Sequence, residues 1–101
     1  MKRFHLALSV KDIQASIEDY SRRLGREPCA VIEGEYALWR TDTLNVSIRR
    51  TDEPPGLRHL GWEDPSAESF SAEPDTNGIV WERFSAELQK REIDAIWPPK
   101  G

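Results

Sequence analysis

Two short segments of this chain are nearly alike, and each contains one of its two histidines. Residues 4–8 read FHLAL and residues 58–62 read RHLGW, so His5 and His59 occupy equivalent positions. A repeat that recurs after about 50 residues usually reflects one supersecondary unit that is built twice. Imidazole is also the commonest metal-binding side chain. The repeat therefore predicts two matched strands, and the two histidines are the leading candidates for a metal site.

Composition limits the size of the fold and its partners. The 101 residues are 38% hydrophobic and 32% charged, as expected for one folded domain over residues 1–101. The net charge of −4 disfavours nucleic acid, which requires clustered Lys and Arg. No apolar run has the length of a membrane span and no signal peptide follows Met1, so no membrane partner is expected. Because the single Cys29 cannot form an internal disulfide, we expect a cytoplasmic location.

The first half of the chain, residues 1–55, predicts the order strand, helix, strand, strand, strand. Bulky apolar residues alternate with small or polar ones over residues 4–10 and 44–49, which is the period of a strand with one apolar face. Asp12 and Gly25 are suitable caps for a helix between them. Two shorter strands are predicted over residues 29–32 and 36–40.

The second half, residues 56–101, is shorter and its elements are less regular. Residues 57–63 predict a strand with His59 on the face opposite Leu60. The two acids at its end, Glu63 and Asp64, are expected to be solvated or capping. Residues 64–78 have no period and predict a loop. Residues 79–92 have apolar positions at helical spacing and predict a helix, and a short strand is predicted at 94–97.

The first half resembles the opening of the vicinal oxygen chelate superfamily, which includes glyoxalase I, extradiol dioxygenases, and the fosfomycin-resistance and bleomycin-resistance proteins. The resemblance is carried by HLALSVKDI at residues 5–13, SIEDY at 16–20 and LG at 24–25. It implies an α+β fold of βαβββ modules that form a curled mixed sheet with helices on the outer face. Here the second module is shortened. It also implies a cup that holds a divalent metal such as Zn, Ni, Mn or Fe.

Residue by residue, the resemblance assigns His5 and His59 to metal-ligand positions of the two modules. Asn45 falls where the family has an acid on the fourth strand, and an amide is a poor ligand for such metals. Residues 70–82 also faintly resemble the family's terminal turn and ligand glutamate. That alignment would place Glu82 on a strand as a third ligand, although the helical periodicity of residues 79–92 is preferred.

Three residues are candidate contacts for a bound small molecule. Trp39 lies on a predicted strand that could line the cup with an aromatic wall. Asn45 and Ser47 share one face of the fourth strand, opposite its apolar residues. The sequence assigns no catalytic residue.

Three functions are compatible with these features. The first is a glyoxalase-like or bleomycin-resistance-like protein that binds a small molecule in the cup or a dimer groove, with a partial or vestigial metal site. The second is a metal-dependent lyase or dioxygenase for a small substrate with vicinal oxygens, and the third is a dimeric interaction module without a ligand. Asn45 and the short second module favour the first, and the histidine pair favours the second. Missing terminal strands would leave an open sheet edge, which predicts a homodimer.

Overall fold

One mixed sheet of seven strands organises residues 1–100, which are the residues that the computed structural model describes. The strands are β1 (Arg3–Val10), β2 (Ala30–Ile32), β3 (Tyr36–Arg40), β4 (Leu44–Arg50), β5 (Gly56–Glu63), β6 (Ser71–Pro74) and β7 (Val80–Phe84). The helices are α1 (Ile13–Leu24) and α2 (Ala86–Ile96), and neither is long and apolar enough to cross a membrane. The strand order is β2-β3-β4-β1-β5-β7-β6, so the sheet is open at both ends. The prediction of an α+β fold is confirmed.

The two histidine strands, β1 and β5, lie side by side and antiparallel near the centre of the sheet. Each has a parallel neighbour on its other side, β4 beside β1 and β7 beside β5. His5 pairs with Asn45 of β4 and with Gly61 of β5. Gly61 in turn pairs with Glu82 of β7. A single row across four strands therefore carries Asn45, His5, Gly61 and Glu82.

Helix α1 covers one face of the sheet's first half. Asp12 caps its N-terminus, because Asp12 Oδ1 accepts from the Ala15 N–H at 3.0 Å. Gly25 ends the helix with a φ of 73°, a conformation that favours glycine. The core beneath α1 contains Val10, Ile13, Ala37, Trp39, Val46 and Ile48. The predicted alternation is confirmed, since the bulky residues of β1 and β4 face α1, and His5 and Asn45 lie on the opposite face.

Helix α2 covers the other face, the one that carries the histidines. Ser85 caps it, and its Oγ accepts from the Leu88 N–H at 3.2 Å. Gln89 is buried against the sheet, and the ring of Trp97 lies 5.1 Å from the ring of Tyr36 on β3. The expectation that the helices lie on the outer face is wrong for α2. Gln89 of α2 and Trp97, which follows it, contact residues on the histidine face of the sheet.

The second half differs from the sequence prediction in three places. Residues 71–74 form β6 instead of a loop, residues 80–84 form β7 instead of a helix, and residues 94–96 belong to α2 instead of a strand. Val80 and Phe84 are four positions apart, a spacing that brings residues to one face of a strand as well as one face of a helix. The spacing of the apolar residues therefore did not distinguish a strand from a helix. The alternative interpretation, with Glu82 on a strand, is confirmed.

Candidate metal centre

Three side chains from three strands meet at one point on the histidine face. His5 Nε2 lies 3.1 Å from His59 Nε2 and 3.9 Å from Glu82 Oε1, and His59 Nε2 lies 2.8 Å from that oxygen. Ligands on one tetrahedral ion with bonds of about 2.0–2.2 Å lie roughly 3.3–3.6 Å apart, and the observed separations lie on both sides of that range. Within residues 1–100, this is the one group of three His, Cys, Asp or Glu side chains close enough to share an ion.

A glycine lets the three side chains converge. Gly61 lies between His5 and Glu82 in the row across the sheet. A Cβ at Gly61 would overlap the backbone carbonyl of Glu82, so β7 can approach β5 this closely only beside a glycine. His59 is opposite Ala7, whose methyl group is small. The space above these two small residues holds the imidazole rings and the carboxylate.

Hydrogen bonds determine which nitrogen of His5 carries the proton. His5 Nδ1 lies 2.8 Å from Asn45 Oδ1 and 3.2 Å from the Asn45 backbone oxygen. Both oxygens are acceptors, so Nδ1 donates and Nε2 keeps its lone pair. Burial is the main reason that the pKa of His5 is lowered from its usual 6.5, and the neighbouring His59 lowers it further. His5 is therefore neutral at pH 7 and directs a lone pair at His59 and Glu82.

The cluster has fewer protons than its contacts require. The nitrogen of His5 and the oxygen of Glu82 both present lone pairs to His59 Nε2, which carries one proton at most. One divalent cation would accept lone pairs from all three atoms at once. Two imidazoles and one carboxylate bind catalytic zinc in some hydrolases and Fe(II) in many oxygenases, with open positions left for a substrate.

A buried polar network holds Asn45 behind His5. Asn45 Nδ2 donates to Glu63 Oε1 at 2.9 Å and to Gln89 Oε1 at 2.8 Å, so that Asn45 Oδ1 faces His5. Arg40 donates to both acceptors, at 2.6 Å to Glu63 Oε1 and at 2.9 Å to Gln89 Oε1. The orientation of the proposed ligand His5 thus depends on groups from β3, β4, β5 and α2.

Glu63 is the anion of this network. It is 2% exposed and accepts from Arg40, Asn45 and Arg3, the last at 2.6 Å. Burial alone would raise the pKa of Glu63, but these hydrogen bonds and the Arg40 charge hold it below its usual 4.5. The expectation that Glu63 is solvated or capping is wrong, because the arginines of β1 and β3 neutralise it in the interior. Asp64 does cap a turn, since its Oδ1 accepts from the Ser66 N–H at 2.9 Å.

The three candidate ligands line a cavity of about 160 Å³ between the sheet and α2. The Phe84 ring packs edge-on against His5, with 4.9 Å between ring centroids, and stacks on Phe70. The cavity lining also includes Tyr36, Ser47, Arg49, Arg58, Glu92, Ile93, Ile96 and Trp97. Apolar walls with a few convergent polar groups are typical of small-molecule sites.

The predicted small-molecule contacts have three different positions. Ser47 and Tyr36 both line the cavity, and burial raises the pKa of Tyr36 to about 12, so the Tyr36 hydroxyl stays protonated. Asn45 is fully buried behind His5 and reaches the site through it. Trp39 is not at the site. It pairs with Val46, faces α1 and donates from Nε1 to Ser21 Oγ at 3.3 Å.

Comparisons with known proteins bear on the fold alone. No protein-family model matches the chain, and no curated protein matches it. One similar solved structure is described as the NAD-dependent benzaldehyde dehydrogenase from Legionella pneumophila. It has a TM-score of 0.59 and 14% sequence identity, over 81% of this chain and 97% of that chain. At this identity the similarity supports a shared arrangement of strands and helices and says nothing about activity.

Proposed function

We propose that this protein binds one divalent metal ion through His5, His59 and Glu82 and uses it to hold a small molecule in the adjoining cavity. The observation that carries the proposal is the convergence of three lone-pair donors within 3.9 Å of one another, with at most one proton among them. Three protein ligands leave further coordination positions open. Two neighbouring oxygens of a small molecule would fill these positions.

A metal-dependent enzyme of the vicinal oxygen chelate type is the activity that this site supports best. Glu82 supplies the third protein ligand that two imidazoles alone would lack, which weighs against a vestigial site. The metal would act as a Lewis acid that stabilises negative charge on a bound oxygen. The order strand, helix, strand, strand, strand over residues 3–50 and the resemblance of residues 5–25 support this assignment.

Metal-free binding of a small molecule, as in bleomycin-resistance-like proteins, is the second candidate function. Asn45 favours it, because an amide stands where the resembled family has an acidic ligand. In that case, the histidines and Glu82 would supply hydrogen bonds to the ligand. A measurement of metal affinity distinguishes this metal-free function from the metal-dependent one.

Calorimetric titration with zinc at pH 7.5 tests the metal proposal. The wild type is expected to bind one equivalent, and His5→Ala and His59→Ala are expected to weaken binding about equally, by roughly 100-fold or more, because even outer-shell changes cost about 10–100-fold. Glu82→Gln is expected to weaken binding too, whereas Glu73→Gln, an exposed acid on β6, serves as the unaffected control. Equal binding by the wild type and a double histidine variant would contradict the proposal and leave the metal-free function.

We also propose a homodimer in a reducing, cytoplasmic environment. The outer sides of the edge strands β2 and β6 pair with no strand of residues 1–100, and such edges readily pair with another chain. The single cysteine, Cys29, is exposed, and a reducing compartment would keep it from joining two copies by a disulfide. Sedimentation at increasing concentration tests the dimer, and a monomer mass throughout the range would exclude it.

A further inference from the structure

Two arginines face the cavity without an acidic partner. Arg49 of β4 and Arg58 of β5 both line it. Neither forms an ion pair with any residue from 1 to 100, whereas the next residue of β4, Arg50, pairs with Glu35 at 3.2 Å. Unpaired guanidinium groups beside a cavity are suited to bind an anion, because their N–H groups fit a carboxylate in a planar, two-bond arrangement.

A β-bulge brings Arg58 to the cavity. Ala7 pairs with His59 but Leu8 pairs with Leu57, so Arg58 is the additional residue between them. In a regular strand, Arg58 and its neighbour His59 would point to opposite faces. A bulge re-aims one side chain, which explains how both residues line the same cavity. The bulge in β5 therefore adds the positive charge of Arg58 to the cavity lining.

An aromatic ring holds Arg49. Its guanidinium carbon lies 5.0 Å from the centroid of the Trp97 ring, and that ring packs against Tyr36. A cation–π contact uses the face of the guanidinium and leaves its edge N–H groups free for a ligand. The Ser47 and Tyr36 hydroxyls on the same wall add polar groups at this side of the cavity.

We propose that Arg49 and Arg58 bind the carboxylate of a small organic acid whose other oxygens reach the metal site. The placement of those oxygens rests on the proposed function, whereas the carboxylate subsite rests on the arginines alone. Glu82 and Glu92 also line the cavity, so two negative charges balance two positive ones before a metal is bound.

The body of the acid is apolar and about the size of one ring. Phe70, Phe84, Ile93 and Ile96 supply the apolar walls. The cavity of about 160 Å³ is similar in volume to an engineered cavity of roughly 150 Å³ that binds benzene. Cyclohexanecarboxylate is therefore a suitable probe. Cyclohexanecarboxamide, which has the same ring and no charge, is the control ligand.

The test measures binding of both probes to the full chain at pH 7.5 by ¹H–¹⁵N NMR titration, first without metal and then with zinc. The acid is expected to bind the metal-free wild type at least tenfold more tightly than the amide. The double variant Arg49→Gln, Arg58→Gln is expected to lose that preference and to keep wild-type zinc affinity. Arg50→Gln, which removes a neighbouring paired arginine, is the matched control and should behave as the wild type.

Equal affinity for the acid and the amide would overturn the inference. So would acid binding by the double arginine variant at wild-type strength. Acid selectivity that depends on the two arginines, in a protein that does not bind zinc, supports the subsite and refutes only the metal proposal. Zinc binding without acid selectivity supports the metal proposal and refutes the carboxylate subsite. The failure of one proposal can therefore be distinguished from the failure of the other.

Discussion

Replacement of Glu63 by glutamine is expected to destabilise the fold by about 3 kcal/mol. The carboxylate is 2% exposed and accepts from Arg3, Arg40 and Asn45, so an amide nitrogen in its place would face a donor. Removal of one partner from a buried charge pair costs about 3–5 kcal/mol. We expect the lower end, because the side chains of Arg3 and Arg40 are 29% and 25% exposed and can be rehydrated. For a domain of this size, the melting temperature should fall by roughly 12–24 °C.

Thermal and urea unfolding, followed by circular dichroism at pH 7, measure this loss. The control is Glu35→Gln, which removes an ion pair with the exposed Arg50 and should cost at most about 1 kcal/mol. The fold lowers the pKa of Glu63, so its stabilisation is complete above the usual value of 4.5 and is lost as the pH falls below it. The difference between variant and wild type should therefore shrink below pH 4.5. A variant within about 1 kcal/mol of the wild type at pH 7 would refute the reasoning.

Three further outcomes are expected. Asn45→Leu should weaken zinc binding about 10–100-fold in a calorimetric titration, because it removes the nearer of the two oxygens that accept from His5 Nδ1 and leaves only the backbone oxygen at 3.2 Å. Gly61→Ala should lower the free energy of unfolding by about 2–3 kcal/mol, because its Cβ would overlap the carbonyl of Glu82. Between its lowered pKa and 6.5, His5 binds more protons in the unfolded chain, so metal-free protein should lose stability on going from pH 7 to pH 5.5. Urea unfolding at the two pH values, with His5→Phe as the control that lacks this dependence, measures the effect.

The first half of the fold could be predicted because its local signals agree. The alternation of β1 and β4, the Asp12 cap and the Gly25 terminus all predict the elements that form. The second half lacks such agreement. The SAEP segment of β6 has little intrinsic preference for a strand, and its pairing with β7 is what makes it one.

The site could be predicted in part for similar reasons. His5 and His59 were identifiable because the repeat places them equivalently, whereas Glu82 required the choice between helix and strand. The face of Trp39 could not be read from the sequence, because β3 is buried on both faces and has no alternation. The contact of Asn45 with Gln89 joins residues 44 positions apart, and depends on how α2 docks. No local pattern encodes such a contact.

Anomalous diffraction at the zinc absorption edge, on crystals grown with one equivalent of zinc, tests the central claim most directly. We expect one strong peak within about 2.0–2.2 Å of His5 Nε2, His59 Nε2 and a Glu82 carboxylate oxygen. The remaining coordination positions are expected to open to the cavity. A fully occupied zinc at surface acids, with no peak between the two imidazoles, would contradict it.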